Sequence, residues 1–293
     1  MSLPTGIDPE RHVVIAGPTA SGKSALAMRI AQEQGGTVVN ADALQIWSCW
    51  RVLTARPPVA DETLVPHALY GHVTPERAYS VGDWLADVAG LRGRLIVTGG
   101  TGLYLGALTR GLAVIPPVPA AIRAQGDAIL AGGGLDRMVA GLDPATRAAI
   151  DLRNPARVQR AWEVLRATGR GIVEWQAETP APLIPPSGAT RLVLVSDRDW
   201  LAGRIKRRFA GMLEQGALDE VRAMLPHWAP NRQWARAIGA PELAAYLQGR
   251  MSLDEAEEKA VIATRQYAKS QRIWFRNRMR DWRPVEAESF TDF

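Results

Sequence analysis

One run of eight residues constrains this chain more than any other feature. Gly17-Pro18-Thr19-Ala20-Ser21-Gly22-Lys23-Ser24 matches G-x-x-x-x-G-K-[ST], stands directly after an apolar run and opens a helical pattern. Strand, glycine-rich turn and helix in that order make a phosphate-binding loop. Its glycines let backbone N–H groups curl around phosphate oxygens at a helix N-terminus, where the dipole favours negative charge. Lys23 then contacts an outer phosphate, and the Ser24 hydroxyl helps to hold Mg²⁺. The loop grips a di- or triphosphate chain and is indifferent to the group beyond. It therefore marks a nucleotide-binding, first of all an ATP-binding, protein without naming the substrate.

The rest of the chain supplies the sheet that such a loop needs. Val13-Val14-Ile15-Ala16, Thr37-Val38-Val39, Leu95-Ile96-Val97-Thr98 and Leu192-Val193-Leu194-Val195 are short and continuously apolar, as strands covered on both faces by helices are. Helical patterns lie between them, so an open parallel α/β sheet flanked by helices is expected. The strand signal stops between Pro116 and Gly188, a stretch opened by Pro116, Pro117 and Pro119 and closed by Pro180, Pro182, Pro185 and Pro186. This predicts a core of residues 1–115 and 189–293 with an all-helical insertion, residues 116–188. Within the insertion Val158, Ala161, Trp162 and Leu165 fall at helical spacing.

Composition removes several classes. With 47% hydrophobic and 22% charged residues, the chain buries a core and is neither disordered nor collagenous, and no run approaches the ~20 apolar residues of a membrane span. Cys49 is the one cysteine and there are four histidines, which excludes an intramolecular disulfide and a multi-cysteine zinc site. The first eleven residues carry two acids, two prolines and no apolar run. A cytoplasmic protein, and a monomer, is expected.

Three further segments bear on chemistry. Val38-Val39-Asn40-Ala41-Asp42 sets a carboxylate just past the second strand, on the sheet edge that carries the phosphate loop. There it could coordinate metal, take a proton from a second substrate, or simply cap a turn. Gln45 follows at a spacing from which its carboxamide could read an amine or a ring nitrogen. Leu95 to Thr98 runs not into a metal-holding acid but into Gly99-Gly100-Thr101-Gly102-Leu103-Tyr104, which reads as a second oxyanion surface; Asp197 could supply the missing acid. Near the C-terminus Arg265, Lys269, Arg272, Arg276 and Arg280 recur at offsets of four, three, four and four. Those offsets put them on one face of a continuous helix, with Ala263, Tyr267 and Trp274 packing the other. From Arg265 to Arg283 seven basic residues face Asp281 alone, in a chain whose net charge is +5. Such a stripe reads as a track for a phosphate backbone.

In order along the chain, the loop, Asn40-Ala41-Asp42-Ala43-Leu44-Gln45, Ala78-Tyr79-Ser80-Val81, Gly99 to Tyr104, Arg157-Val158-Gln159-Arg160-Ala161-Trp162-Glu163-Val164, Ala237-Ile238-Gly239 and Thr264-Arg265-Gln266-Tyr267-Ala268-Lys269 resemble the tRNA dimethylallyltransferases, also called tRNA isopentenyltransferases. The resemblance runs from about residue 12 to 282. It implies a P-loop kinase-like core and transfer of a dimethylallyl group from dimethylallyl diphosphate to N6 of adenosine 37, beside the tRNA anticodon. By resemblance Asp42 is the general base, Thr19 and Thr101 place hydroxyls near the diphosphate and base, and Arg198 and Arg204 meet the leaving group. The same resemblance assigns tRNA contacts to Asp42, Ala43, Leu44 and Gln45, to Thr101 and Arg123, to Ala156, Arg157, Val158, Gln159 and Arg160, to Arg236 and Gly239, and to Lys269, Arg272 and Arg276. The chain departs from the family pattern at Trp47, Arg56, Ser48 to Leu53 and Asp151-Leu152-Arg153-Asn154. Other readings of the residues are a small-molecule kinase using ATP, a prenyltransferase acting on free adenine nucleotides, and a non-catalytic RNA-binding protein.

Overall fold

The computed structural model describes residues 3–290; the outermost residues of the expected core, 1–2 and 291–293, lie outside them. In chain order the elements begin β1 His12–Ala16, α1 Lys23–Gln34, β2 Thr37–Asn40, α2 Val59–Leu64, β3 His67–Ala68, α3 Val81–Gly90, β4 Leu95–Gly99 and α4 Gly102–Arg110. Five helices follow: α5 Ala120–Ala131, α6 Leu135–Ala140, α7 Pro144–Ala149, α8 Pro155–Thr168 and α9 Ile172–Ala177. The chain ends with β5 Ala189–Val195, α10 Arg198–Glu214, α11 Ala217–Met224, α12 Ala240–Leu247, α13 Leu253–Arg278 and β6 Arg283–Glu286.

The six strands form one sheet in the order β3-β2-β4-β1-β5-β6, and every pairing is parallel. Alternation explains the continuous apolar runs. Val14 and Ala16 pack with Val39 and Val97 on one face, while Val13 and Ile15 pack with Val38, Ile96 and Leu192 on the other. A strand whose two faces both enter a core has no solvent side to mark with polar residues. Neither edge strand carries that signature. β3 has two residues, and β6 is Arg-Pro-Val-Glu, polar and proline-bearing as sheet edges are. Because β1 lies between β4 and β5, while the chain passes from β1 to β2 on the far side of β4, the loops after β1, β2 and β4 converge at the carboxyl end of the sheet. This is where open α/β sheets bind ligands.

The chain divides into two compact units, residues up to Thr109 with those from Ile184 onward, and Arg110–Leu183. Both divisions fall a few residues ahead of the proline-rich boundaries expected from sequence. On the return the chain rejoins the core before it rejoins the sheet: Ile184 is buried and its N–H donates to the Leu108 carbonyl at 3.1 Å. The second unit is helical and has its own core of Met138, Leu142, Val158, Ala161 and Trp162. Its main helix, α8, opens on Asn154, whose side chain accepts the Arg157 N–H, has Pro155 in its first turn, and closes on Gly169 at φ 70°. The departure at Asp151–Asn154 thus contains the α8 cap.

Candidate functional site

The phosphate loop has the conformation that its glycines require. Gly22 sits at φ 86° and Ala20 at φ 63°, a left-handed backbone that is unusual for alanine and common at ligand-gripping turns. Gly17 has no room for a side chain, since a Cβ there would lie 2.9 Å from Leu194 Cβ and from Ser21 Oγ. α1 starts at Lys23 with no side-chain cap and no acid in its first turn, so its leading N–H groups are left for an anion. Lys23 Nζ donates to the Pro18 carbonyl at 2.8 Å.

Lys23 and Ser24 share a cavity with Asp42, Gln45, Thr98, Arg208 and Tyr267. Asp42 is the one acid among its lining residues. Asn40, buried at the end of β2, holds the turn that presents it: Asn40 Oδ1 accepts the Asp42 N–H at 2.8 Å, and Nδ2 donates to the Asp42 and Leu69 carbonyls at 3.0 Å. Asp42 Oδ1 accepts the Leu44 N–H at 3.0 Å, so the carboxylate forms a turn and also lines the cavity. Gln45 donates from Nε2 to the Thr54 and Ala55 carbonyls, both at 2.8 Å. With both amide hydrogens committed, what this side chain has left to offer is acceptor capacity. Leu44, Leu53, Ile205, Phe209 and Met212 give the cavity an apolar wall.

The cationic partners come from α10. Arg204 Nε donates to the Ala20 carbonyl at 2.9 Å, with its guanidinium 4.9 Å from the Trp200 ring centroid. One turn on, Arg208 NH1 donates to Thr19 Oγ1 at 3.2 Å. Burial pulls Lys23 down to about 8 against the favourable field of Asp42, with Arg208 adding to the fall. Burial likewise lowers Arg208, and Asp42 again opposes it. Tyr267 is raised by burial and then by Asp42, with the neighbouring Thr101 and Gln271 side chains opposing the rise. One carboxylate therefore faces two half-buried cations, Lys23 and Arg208, a balance suited to receiving a polyanion.

Arg198 does not join this cavity. α10 has already begun at Arg198, so the six-residue offset turns it away from Arg204, and it lines a separate groove with Arg265, Lys269, Arg272 and Arg276. Arg208, four residues after Arg204 and thus on its face, takes the place next to Thr19. That i, i+4 relation was the available signal. Asp197 is no metal acid here but the N-cap of α10, accepting the Asp199 and Trp200 N–H groups. The Gly99 to Tyr104 segment, read from sequence as an oxyanion surface, is largely built into the protein. The Thr101 N–H goes to the Ala41 carbonyl, and Thr101 Oγ1 accepts the Ala43 N–H at 2.9 Å. A Cβ on Gly99, Gly100 or Gly102 would meet Ala41, Gln271 or the Trp274 ring, respectively, at 2.1 to 2.5 Å. These glycines make a close-packed seam with α13 and the Asp42 turn.

Besides Arg208, two residues that shape this site went unread in the sequence. Gln271 is buried on α13; its Oε1 accepts the Thr19 N–H at 2.9 Å and its Nε2 donates to the Gly100 carbonyl at 2.9 Å. Glu220 on α11 accepts the Arg51, Val52 and Leu53 N–H groups at 2.8 to 2.9 Å, fixing the loop whose next two carbonyls hold Gln45. Burial pushes the Cys49 thiol up to about 12, away from the thiolate form that makes a cysteine reactive.

Comparison with known proteins decides the family. The family model described as IPP transferase matches residues 45–278, and the tRNA dimethylallyltransferase of Paracoccus denitrificans is 72% identical over 286 residues, 94% of this chain and 95% of that one. The chain belongs to the tRNA dimethylallyltransferase family. A second family model, isopentenyl transferase, matches residues 11–64. A Cereibacter sphaeroides tRNA dimethylallyltransferase is 61% identical, covering 95% of this chain and 90% of its own. Among solved structures, the Bacillus halodurans tRNA isopentenylpyrophosphate transferase is similar at TM-score 0.67 and 30% identity, over 95% of this chain and 90% of that one. A eukaryotic dimethylallyltransferase acting on tRNA shares the fold at TM-score 0.79 and 24% identity, over 95% of this chain and 74% of its own.

For this tRNA dimethylallyltransferase family member, the positions that resemblance assigns to nucleic acid fall into distinct settings. On α13, Arg265, Lys269, Arg272 and Arg276 border the groove. The helix ends at Arg278, so Arg280 continues the groove from beyond it and not from its face. The buried face of α13 is Ala256, Ala260, Ala268, Gln271 and Phe275, whereas Ala263, Tyr267 and Trp274 are only half-buried. In the helical unit Arg123, Ala156 and Arg157 are exposed, and Arg160 lies 3.9 Å from Glu163. Gln159 donates to Asp127 and Glu163. Val158 is fully buried in that unit's core and offers no surface. Arg236 is exposed but Gly239 is buried; at φ 95°, with a Cβ position 2.9 Å from Phe209, it is a glycine required by the turn into α12. Trp47 is buried, and Arg56 donates to the Trp50 carbonyl at 3.4 Å.

Proposed function

We propose that this enzyme transfers a dimethylallyl group from dimethylallyl diphosphate to N6 of adenosine 37 in tRNA, releasing diphosphate, and that it acts as a monomer. The observation that carries the reading is the single cavity in which a phosphate loop, Arg208 of α10 and one carboxylate meet, with Arg204 tying the loop through the Ala20 carbonyl. The diphosphate lies in the loop, with Lys23, Arg208 and the α1 N-terminus facing its oxygens. The five-carbon chain lies along Leu44, Leu53 and Phe209. As N6 attacks the allylic carbon, an N–C bond forms, the carbon–oxygen bond to diphosphate breaks, and Asp42 takes the N6 proton. A carboxylate suffices as base because the amine becomes acidic only as the new bond forms.

Charge that develops on the departing bridging oxygen is met by cations held in place beforehand. Arg204 acts through the loop by tying the Ala20 carbonyl. Gln45, its amide hydrogens occupied, accepts a hydrogen bond from the adenine amine. The cavity also suits a hard cation: it offers the Ser24 hydroxyl and the Thr98 hydroxyl, a buried oxygen with no protein partner. Among the described residues no cluster of three His, Cys, Asp or Glu exists to bind a metal alone. Mg²⁺ would thus be held by Ser24 with diphosphate oxygens, the arrangement usual for this ion, and would neutralise leaving-group charge. The basic groove would receive the tRNA backbone.

Incubation with unmodified tRNA and either labelled dimethylallyl diphosphate or labelled ATP tests the reading. Label from the prenyl donor on tRNA is expected; label from ATP on a small molecule, with none from the donor on tRNA, would overturn it.

A further inference from the structure

We infer that Gln271 is a positioning residue for the phosphate loop: it touches no substrate, yet it sets the geometry in which the loop receives the diphosphate, on the reading of the cavity given above. Gln271 is 5% exposed, and its carboxamide is wedged where the loop and the Gly99–Gly102 segment both meet α13. Oε1 takes the Thr19 N–H and Nε2 gives to the Gly100 carbonyl, each at 2.9 Å. An N–H at one end and a carbonyl at the other admit one orientation of the amide. At neutral pH a carboxamide supplies acceptor and donor together at such a span, which a carboxylate of the same length cannot.

The surroundings are shaped to keep it there. A Cβ on Gly100 would lie 2.1 Å from Nε2, and one on Gly102 would lie 2.5 Å from the Trp274 ring on the same helix. A side chain that merely stood in for an anion at the Thr19 N–H would be free to swing away. Gln271 is held by a second backbone group, the Gly100 carbonyl, so it stays when the loop fills. Two consequences follow for the loop. The Thr19 N–H is spent on the protein, which leaves diphosphate recognition to the amides nearer α1. The Thr19 hydroxyl is thereby fixed against Arg208 NH1, whose field reaches Asp42 and Lys23. Gln271 thus acts on the chemistry through the loop.

Gln271→Met, equal in length but without either hydrogen bond, and Gln271→Glu, which puts a carboxylate oxygen against the Gly100 carbonyl, separate this role from bulk packing. For folded Gln271→Met at pH 7.5, inorganic pyrophosphate affinity should fall about tenfold and KM for dimethylallyl diphosphate should rise by a similar factor, the scale of losing a buried hydrogen bond. Affinity for an anticodon stem-loop should stay within about twofold. Gln271→Glu should bind pyrophosphate more weakly still, with its deficit relative to wild type at each pH shrinking as pH falls and the protonated acid regains a donor. Pyrophosphate affinity at the wild-type level in the folded variants would overturn the proposal. So would a loss of stem-loop affinity equal to that for pyrophosphate, the mark of general loosening. If Gln271→Met does not fold, Gln271→Asn, which keeps the carboxamide but cannot span both partners, is held to the same outcomes. Pyrophosphate binding judges Gln271 independently of transfer, so failure of the wild-type enzyme to prenylate tRNA would count against the function and not against this role.

Discussion

Asp42 stands alone among the cations of the cavity, and much of what the site does is set by that imbalance. Asp42→Asn retains the oxygen that accepts the Leu44 N–H and removes the base, so it isolates the proton-transfer role from the turn. Turnover should fall about 10²- to 10⁴-fold, the usual contribution of a general base, with tRNA affinity nearly unchanged in a stem-loop binding assay. Near-normal turnover would eliminate Asp42 as base. Lys23 reports the same balance through pH. Its value of about 8 in the folded protein lies below the ~10.4 of an unfolded lysine. The unfolded chain therefore binds more protons between those two values, and the ligand-free fold gains stability as pH rises through that window. A bound diphosphate favours the charged lysine, so binding takes up a proton above pH 8. Dimethylallyl diphosphate affinity, measured by calorimetry, should decline as pH rises through about 8, and Lys23→Met should bind more weakly with a flatter profile. The motif names Lys23 outright, and the chain's second strand points to Asp42. Arg208 had to be recovered from the helical phase of Arg204, because both the motif and the family resemblance stop short of it.

Helices and loops show where local signals are enough and where they fail. α13 opens on Ser252 with Glu255 completing a capping box, and α8 opens on an Asn-Pro pair, so both are written in their own residues. The buried strands follow from their apolar runs. β3 and β6 do not, because edge strands owe their existence to a neighbour already in place. The loop around Gln45 is the strongest case: its anchor, Glu220, lies about 170 residues away in sequence, and nothing local to either segment announces the pairing. Three backbone N–H groups depend on that carboxylate. Glu220→Ala should destabilise the fold by about 2 to 3 kcal/mol, since the donors lose a charged acceptor, and should raise KM for both substrates as the Thr54 and Ala55 carbonyls release Gln45. Thermal unfolding and steady-state kinetics check it; an unchanged melting temperature would show that the loop is held by other means.

At the scale of the molecule, the modest net charge hides a segregation. α13 places Asp254 and Glu255 in its first turn and Arg276 and Arg278 in its last, an order that complements the helix dipole and would serve stability alone. The dipole does not account for Arg265, Lys269 and Arg272 further back, nor for Arg198 and Arg280 arriving from outside the helix to border the same groove. Like charges gathered from three segments repel one another and are stabilised by an outside polyanion. Sequence spacing revealed the helical part of this cluster; Arg198, about 70 residues earlier in the chain, joins it only through the parallel crossover that seats α10 beside α13. If the groove tracks a phosphate backbone, each cation removed should release fewer counterions on binding, lowering the slope of log affinity against log salt by about one per contact. The double variant Lys269→Ala with Arg272→Ala should therefore raise KM for tRNA at low salt and lose about two from that slope, while pyrophosphate affinity, set inside the cavity, stays at the wild-type level. A slope equal to that of the wild type would mean that tRNA approaches by another face and that the stripe serves α13 alone.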